Sequence, residues 1–191
     1  GRERVIEAAR RLGITAPLRP HPSIALGSFE VNLLELTAAY AHFANGGFQT
    51  FPYIIDAAIT KSGTILYERT APAPPRVIGP REVEAMNDML VATIQSGTGR
   101  RAAIDGRALA GKTGTSQNWR DAWFIGYSGA VVAGVWVGND NGGPMNKVTG
   151  SGLPAQIWRA FMASQENHAA LPGVESGAAS GGGLFNWLFG D

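Results

Sequence analysis

The chemistry-bearing side chains of this sequence concentrate at Lys112-Thr113-Gly114-Thr115, the end of the apolar run Ala108-Leu109-Ala110-Gly111. An ammonium beside two hydroxyls is a set of donors suited to a carboxylate. In a strand, successive side chains point to opposite faces. Lys112 and Gly114 therefore share one face, and Thr113 and Thr115 share the other. Gly114 leaves its own face bare, so another backbone or a ligand can lie flat along the strand. An extended substrate can then pair with the strand as an added edge. The same letters allow a rival. Gly106-Arg107-Ala108-Leu109-Ala110-Gly111-Lys112-Thr113 matches the spacing of a phosphate-binding loop. Such a loop must follow a strand and open a helix whose amides hold the phosphates. Here Gly114 follows at once and a strand pattern begins at Asp121. Nucleotide binding is therefore only a minor alternative.

The elements that must carry this strand can be read from periodicity and punctuation. Residues 2–12 place Val5, Ile6, Ala9 and Leu12 at helical spacing, and Gly13 ends the helix. Pro17, Pro20 and Pro22 then hold the chain extended. A second helix begins after Asn32, whose pairing with Glu35 fits a capping box. It is apolar nearly all round, which predicts a deep position, and Asn45-Gly46-Gly47 stops it. Residues 52–69 read as a hairpin of Tyr53-Ile54-Ile55 and Thr64-Ile65-Leu66-Tyr67, turning through Lys61-Ser62-Gly63. Pro80 opens a third helix that ends near Gln95. Two strands follow the Lys112 strand, at residues 121–127 and 130–137, with Ser128-Gly129 as a tight turn between them. Three antiparallel strands in order make a meander. A last helix, residues 154–162, packs on it. The expected fold class is α+β, an antiparallel sheet against helices.

Composition narrows the function. The 191 residues suffice for one domain plus an appendage, and the formal charge of +1 gives no footprint for nucleic acid. With no cysteine and three scattered histidines, His21, His42 and His168, neither a thiol nucleophile nor a metal site is expected, and no cofactor is implied. His42 lies in the second helix without a nearby partner and reads as a core histidine. Trp123, Phe124, Trp136 and Trp158 read as core under the helices. Arg120 and Asp121 read as turn-shaping residues. Asn139-Asp140-Asn141-Gly142-Gly143 lacks the ligand pattern and closing Glu of a calcium loop, so it reads as a turn. No apolar run reaches the ~18 residues of a membrane span. The expected organisation is a domain over residues 1–162, a flexible Gly/Ala/Ser-rich linker over 163–183 and an apolar tail over 184–191. In that tail Leu184, Phe185, Trp187, Leu188 and Phe189 are candidates for docking on the domain, touching a membrane or binding a partner.

Taken in order, several segments resemble the closing part of the transpeptidase domain of class A penicillin-binding proteins. They are Lys112-Thr113-Gly114-Thr115, Arg120-Asp121-Ala122-Trp123-Phe124-Ile125-Gly126-Tyr127 and Val135-Trp136-Val137-Gly138-Asn139-Asp140. Ile24-Ala25-Leu26-Gly27, Phe43-Ala44-Asn45-Gly46-Gly47 and Gly97-Thr98-Gly99-Arg100 agree, and the likeness extends over residues 2–162. It implies a partial serine-transpeptidase, β-lactamase-like fold. It also implies acyl transfer from D-alanyl-D-alanine stem peptides of peptidoglycan, and acylation by β-lactams that mimic them. On this likeness, Lys112 and Thr115 are the catalytic residues and Lys112, Thr113, Gly114 and Thr115 bind substrate. Lys112 sets the positive field of the cleft and reaches toward a second motif. The threonines hold the terminal carboxylate, and the Thr115 N–H is one of two oxyanion donors. A glycosyltransferase domain and a membrane anchor are implied upstream, at the periplasmic face of the bacterial inner membrane.

The sequence departs from that pattern in one respect. No serine is followed three residues later by lysine, so the Ser-x-x-Lys nucleophile and base are missing. The family's Ser-x-Asn motif is read as missing too, and family order places both before residue 1. The chain is thus expected to be a piece of a longer protein, without turnover of its own. A non-catalytic peptidoglycan- or partner-binding module is the alternative from another class.

Overall fold

A computed structural model describes residues 1–165 and 171–172. The apolar tail and most of the expected linker lie outside the described residues. Helix α1 (Arg2–Arg11) ends in a turn at Gly13, φ +90°. Helix α2 (Leu33–Ala44) starts at Asn32, whose Oδ1 accepts from the Glu35 N–H at 2.8 Å. The box is only half made. The Glu35 carboxylate turns away from the cap and accepts from the backbone N–H of Thr15 at 3.0 Å and from its hydroxyl. This fastens the proline-rich stretch to the start of α2. The helix is also shallower than its composition predicts: Leu34 is exposed, and burial is confined to Ala39, His42, Phe43 and Ala44.

The expected hairpin forms, but its first strand is displaced. β1 (Ala57–Ile59) pairs with β2 (Ile65–Glu68) in the register Ala57↔Glu68, and Tyr53-Ile54-Ile55 lies outside the ladder. The turn sets this. Thr60 N–H bonds Thr64 C=O at 2.9 Å, so pairing starts beside the turn and runs out with β2 before it reaches residue 55.

Helix α3 (Pro80–Gln95) begins at the predicted proline and leads through residues 96–109 into β3 (Ala110–Thr115). β4 (Asp121–Tyr127) and β5 (Val132–Gly138) complete an antiparallel sheet in the order β3-β4-β5. The β4–β5 turn is longer than the two residues expected. Ser128 N–H donates to Val131 C=O, and the Ser128 hydroxyl accepts from the amides of Ala130 and Val131, so residues 128–131 all belong to it. Helix α4 (Leu153–Ala163) follows.

Register divides the sheet into two faces. Phe124 and Val135 lie opposite one another on one face, together with Thr113. This face packs on α4, where Phe124 meets Trp158 at a ring separation of 5.0 Å and Ile94, Ala102, Ala155 and Met162 close the cluster. Tyr127 and Ala110 pair on the other face, against Phe43 and Ala44 of α2 and Leu90 and Val91 of α3. Trp158 is fully buried, and its indole N–H reaches Gly126 O (3.3 Å) and Ala133 O (3.1 Å). A Cβ on Gly126 would stand 2.8 Å from the Trp158 ring, so helix and sheet meet this closely only because residue 126 has no side chain. Leu171, within the stretch read as a linker, is buried in the α2/α3 cluster. Pro172 O accepts from Asn87 Nδ2 at 2.8 Å.

Candidate active site

The strand that carries the motif is an edge. Among the described residues nothing pairs with the side of β3 away from β4. Antiparallel hydrogen bonds alternate along a strand, so one known bond fixes which groups point where. Ser116 N–H donates to Asp121 C=O at 2.9 Å. The even-numbered residues 110, 112 and 114 therefore bond to β4. The N–H and C=O of Thr113 and Thr115 face the open edge. The Lys112 ammonium confirms the direction: it donates to Thr113 O at 2.9 Å, across that same edge. An extended ligand laid along β3 would meet the Thr115 N–H as a free donor.

Side chains follow the expected alternation. Lys112, opposite Ile125, lies on the α2 face and is exposed. Thr113 and Thr115, opposite Phe124 and Ala122, lie on the α4 face. Among the described residues each hydroxyl has one hydrogen-bonding neighbour. Thr113 Oγ1 sits 2.7 Å from Thr98 Oγ1, in the Gly97-Thr98-Gly99 loop that follows α3. Thr115 Oγ1 accepts from the backbone N–H of Gly150 at 3.0 Å, in the loop that leads into α4. Sequence reasoning missed both partners. In the sequence Thr98 stands out only as part of the Gly97-Thr98-Gly99-Arg100 segment, and Gly150 lies within the small-residue run Thr149-Gly150-Ser151-Gly152, which carries no chemical signal of its own.

The turn after β3 is tied by Asp121. Its carboxylate accepts from the Ser116 hydroxyl at 2.8 Å and from the Trp136 indole N–H at 3.0 Å, and Ser116 Oγ accepts from Asp121 N–H. Asp121 is thus a turn residue, as expected. Trp136, expected in the core, is instead partly exposed beside this turn, because its face of β5 is not covered there. The letters Ser-x-Asn do occur, at Ser116-Gln117-Asn118, which corrects the reading that they are missing. They form a 3-10 turn with Asn118 at φ 59°, and the serine is occupied by Asp121. The stretch 106–113 is no phosphate loop, since Lys112 and Thr113 lie within a strand and only that turn follows. His42 is buried, with Nδ1 3.1 Å from Ala38 O and Nε2 accepting from Thr50 N–H. Accepting at Nε2 places the proton on Nδ1, which makes it a structural histidine. Residues 139–143 form a turn closed by Gly142 N–H on Asn139 O, and the described residues hold no cluster of potential metal ligands.

Helices on both faces of an antiparallel sheet, with a Lys-Thr-Gly-Thr strand at an open edge, make the α+β architecture of the penicillin-recognising transpeptidases. Residues 21–163 match the family described as the penicillin binding protein transpeptidase domain, and the chain belongs to that family. Similar curated proteins are Penicillin-binding protein 1A of Aquifex aeolicus, 40% identical over 163 residues, and that of Rickettsia prowazekii, 34% identical over 192 residues. The alignments cover 85% and 88% of this chain but only 22% and 24% of those proteins. The chain therefore spans about a quarter of the length of these relatives. Among solved structures, the penicillin-binding protein PonA1 from Mycobacterium tuberculosis superposes with a TM-score of 0.80 at 25% identity, over 90% of this chain and 52% of that one. PonA1 is also known in complex with penicillin V, and that structure superposes at 0.79. Penicillin-Binding Protein 1A from Haemophilus influenzae superposes at 0.74, with 25% identity, 90% of this chain and 32% of that one.

Proposed function

We propose that Lys112, Thr113, Gly114 and Thr115 form one wall of an acyl-transfer cleft in a peptidoglycan D,D-transpeptidase, and that the opposite wall, with its serine nucleophile and base, is supplied by residues outside these 191. The observation that carries the reading is the open edge of β3, with the N–H of Thr115 directed away from β4. A stem peptide ending in D-alanyl-D-alanine, or a β-lactam, lies along this edge. Its carboxylate meets the hydroxyls of Thr113 and Thr115, and Lys112 supplies the balancing charge. The Thr115 amide then donates to the carbonyl oxygen as it gains negative charge. One such donor is worth about 2.7–4 kcal/mol to a reaction of this kind. The Lys112 ammonium donates to Thr113 O, a bond it must release to turn into the cleft.

The whole protein in this reading is membrane-anchored at the periplasmic face, with a glycosyltransferase domain. No helix among the described residues is long and apolar enough to cross a membrane. The chain itself has no Ser-x-x-Lys, which makes it inactive alone. Incubation with a fluorescent penicillin followed by a denaturing gel tests this. The full-length protein is expected to label and the 191-residue chain to remain dark. Labelling of the chain alone would overturn the assignment of the nucleophile.

A further inference from the structure

The loop ahead of α4 approaches the motif more closely than any side chain would permit. Gly150 is buried, and a Cβ on it would stand 2.3 Å from Trp123 O, 2.4 Å from Gly114 O and 2.8 Å from Gly114 N. All three are backbone atoms of the β3–β4 ladder and cannot swing aside. This approach brings the Gly150 amide to Thr115 Oγ1 at 3.0 Å. A threonine hydroxyl has one proton and two lone pairs. With one lone pair taken by the Gly150 N–H, and no other bond to this hydroxyl among the described residues, its proton is left for an external acceptor.

We propose that Gly150 is a positioning residue for the carboxylate site: its amide locks the Thr115 hydroxyl as a donor to ligand, and its missing side chain is what lets the loop sit there. The inference rests on the reading that Thr115 faces the ligand carboxylate. It also gives the α4 loop a part in recognition. Gly150 precedes α4, which packs through Trp158 on Phe124, so the same helix that covers the sheet sets the geometry of a hydroxyl at its edge.

The test uses the full-length protein and measures the second-order acylation rate by a penicillin and by its neutral methyl ester. Three forms are compared with the parent: Thr115→Val, Gly150→Ala, and a backbone ester at position 150, in which oxygen replaces the N–H and adds no bulk. Thr115→Val is expected to slow the free acid at least tenfold more than the methyl ester. If it slows both equally, the carboxylate reading of Thr115 fails, and this inference fails with it. If Thr115→Val behaves as expected, the two position-150 variants decide the role of Gly150. Both are expected to reproduce the selective loss, and neither is expected to deepen it in a Thr115→Val background. Equal slowing of acid and ester, or a loss that multiplies with that of Thr115→Val, would reduce Gly150 to a packing residue and overturn the inference. Should Gly150→Ala fail to fold, the backbone ester alone decides. An unchanged acid rate in that form refutes the role of the amide.

Discussion

The buried Tyr127–Asn87 pair offers the sharpest test of how the sheet is held. Tyr127 O–H donates to Asn87 Oδ1 at 2.5 Å, and Asn87 Nδ2 donates to Pro172 O at 2.8 Å. Both side chains are fully buried, so the chain joins the end of β4, the middle of α3 and the C-terminal segment without water. Tyr127→Phe leaves the Asn87 oxygen without a donor, a cost of about 1–3 kcal/mol. Asn87→Ala leaves both the Tyr127 hydroxyl and the Pro172 carbonyl unpaired and opens a small void. Pro172 is only half-buried and regains water, so the expected cost is about 2–4 kcal/mol. In the double variant the orphaned hydroxyl is gone. The two losses are then expected to fall short of additive by about 1–3 kcal/mol. Urea unfolding of the full-length protein and its three variants, followed by tryptophan fluorescence, measures this cycle. Losses that add to within about 0.5 kcal/mol would show that the pair is not coupled and would refute the reasoning.

Two further outcomes follow from buried polar groups. Burial pushes Tyr40 up to about 12, and burial followed by the charge of Tyr40 pushes Tyr127 up as well. Unfolded tyrosines ionise near pH ~10 while these two keep their protons, so the contribution of each is intact below pH ~10 and is lost as pH rises. The unfolding free energy from urea titrations is expected to fall above pH ~10 by about 1.4 kcal/mol per pH unit for each tyrosine, and Tyr127→Phe is expected to flatten the fall; a pH-independent unfolding free energy in the parent would contradict this. Thr37 Oγ1 is buried with no hydrogen-bond partner among the described residues, pressed toward Gly134 of β5. Replacing that hydroxyl in Thr37→Val is expected to stabilise by about 1 kcal/mol in the same unfolding assay, and a destabilised variant would reveal a partner for the hydroxyl.

Features written in adjacent residues were legible in the sequence. Asn32 caps α2, Pro80 opens α3 and residues 121–127 form β4, because caps, prolines and alternation act within a few positions. The motif on β3 was legible for the same reason: alternation alone places Lys112 and the threonines on opposite faces. Errors arose where turns decided the outcome. Tyr53-Ile54-Ile55 has strand composition, but the turn at residues 60–64 fixes the register so that β2 ends before reaching it. The partners of the motif were not legible, since Thr98 and Gly150 reach Thr113 and Thr115 only through tertiary approach. The Asn87–Tyr127 bond spans forty residues and looks like an ordinary polar position on a helix.

Everything functional here depends on β3 being an open edge that a ligand can follow. A crystal structure of the full-length protein acylated by a penicillin tests that directly. It is expected to show the drug laid along β3, its carboxylate within about 3 Å of the Thr113 and Thr115 hydroxyls and its acyl oxygen at the Thr115 amide. A drug acylated at a site away from residues 112–115, or a further strand paired along that edge, would contradict the account.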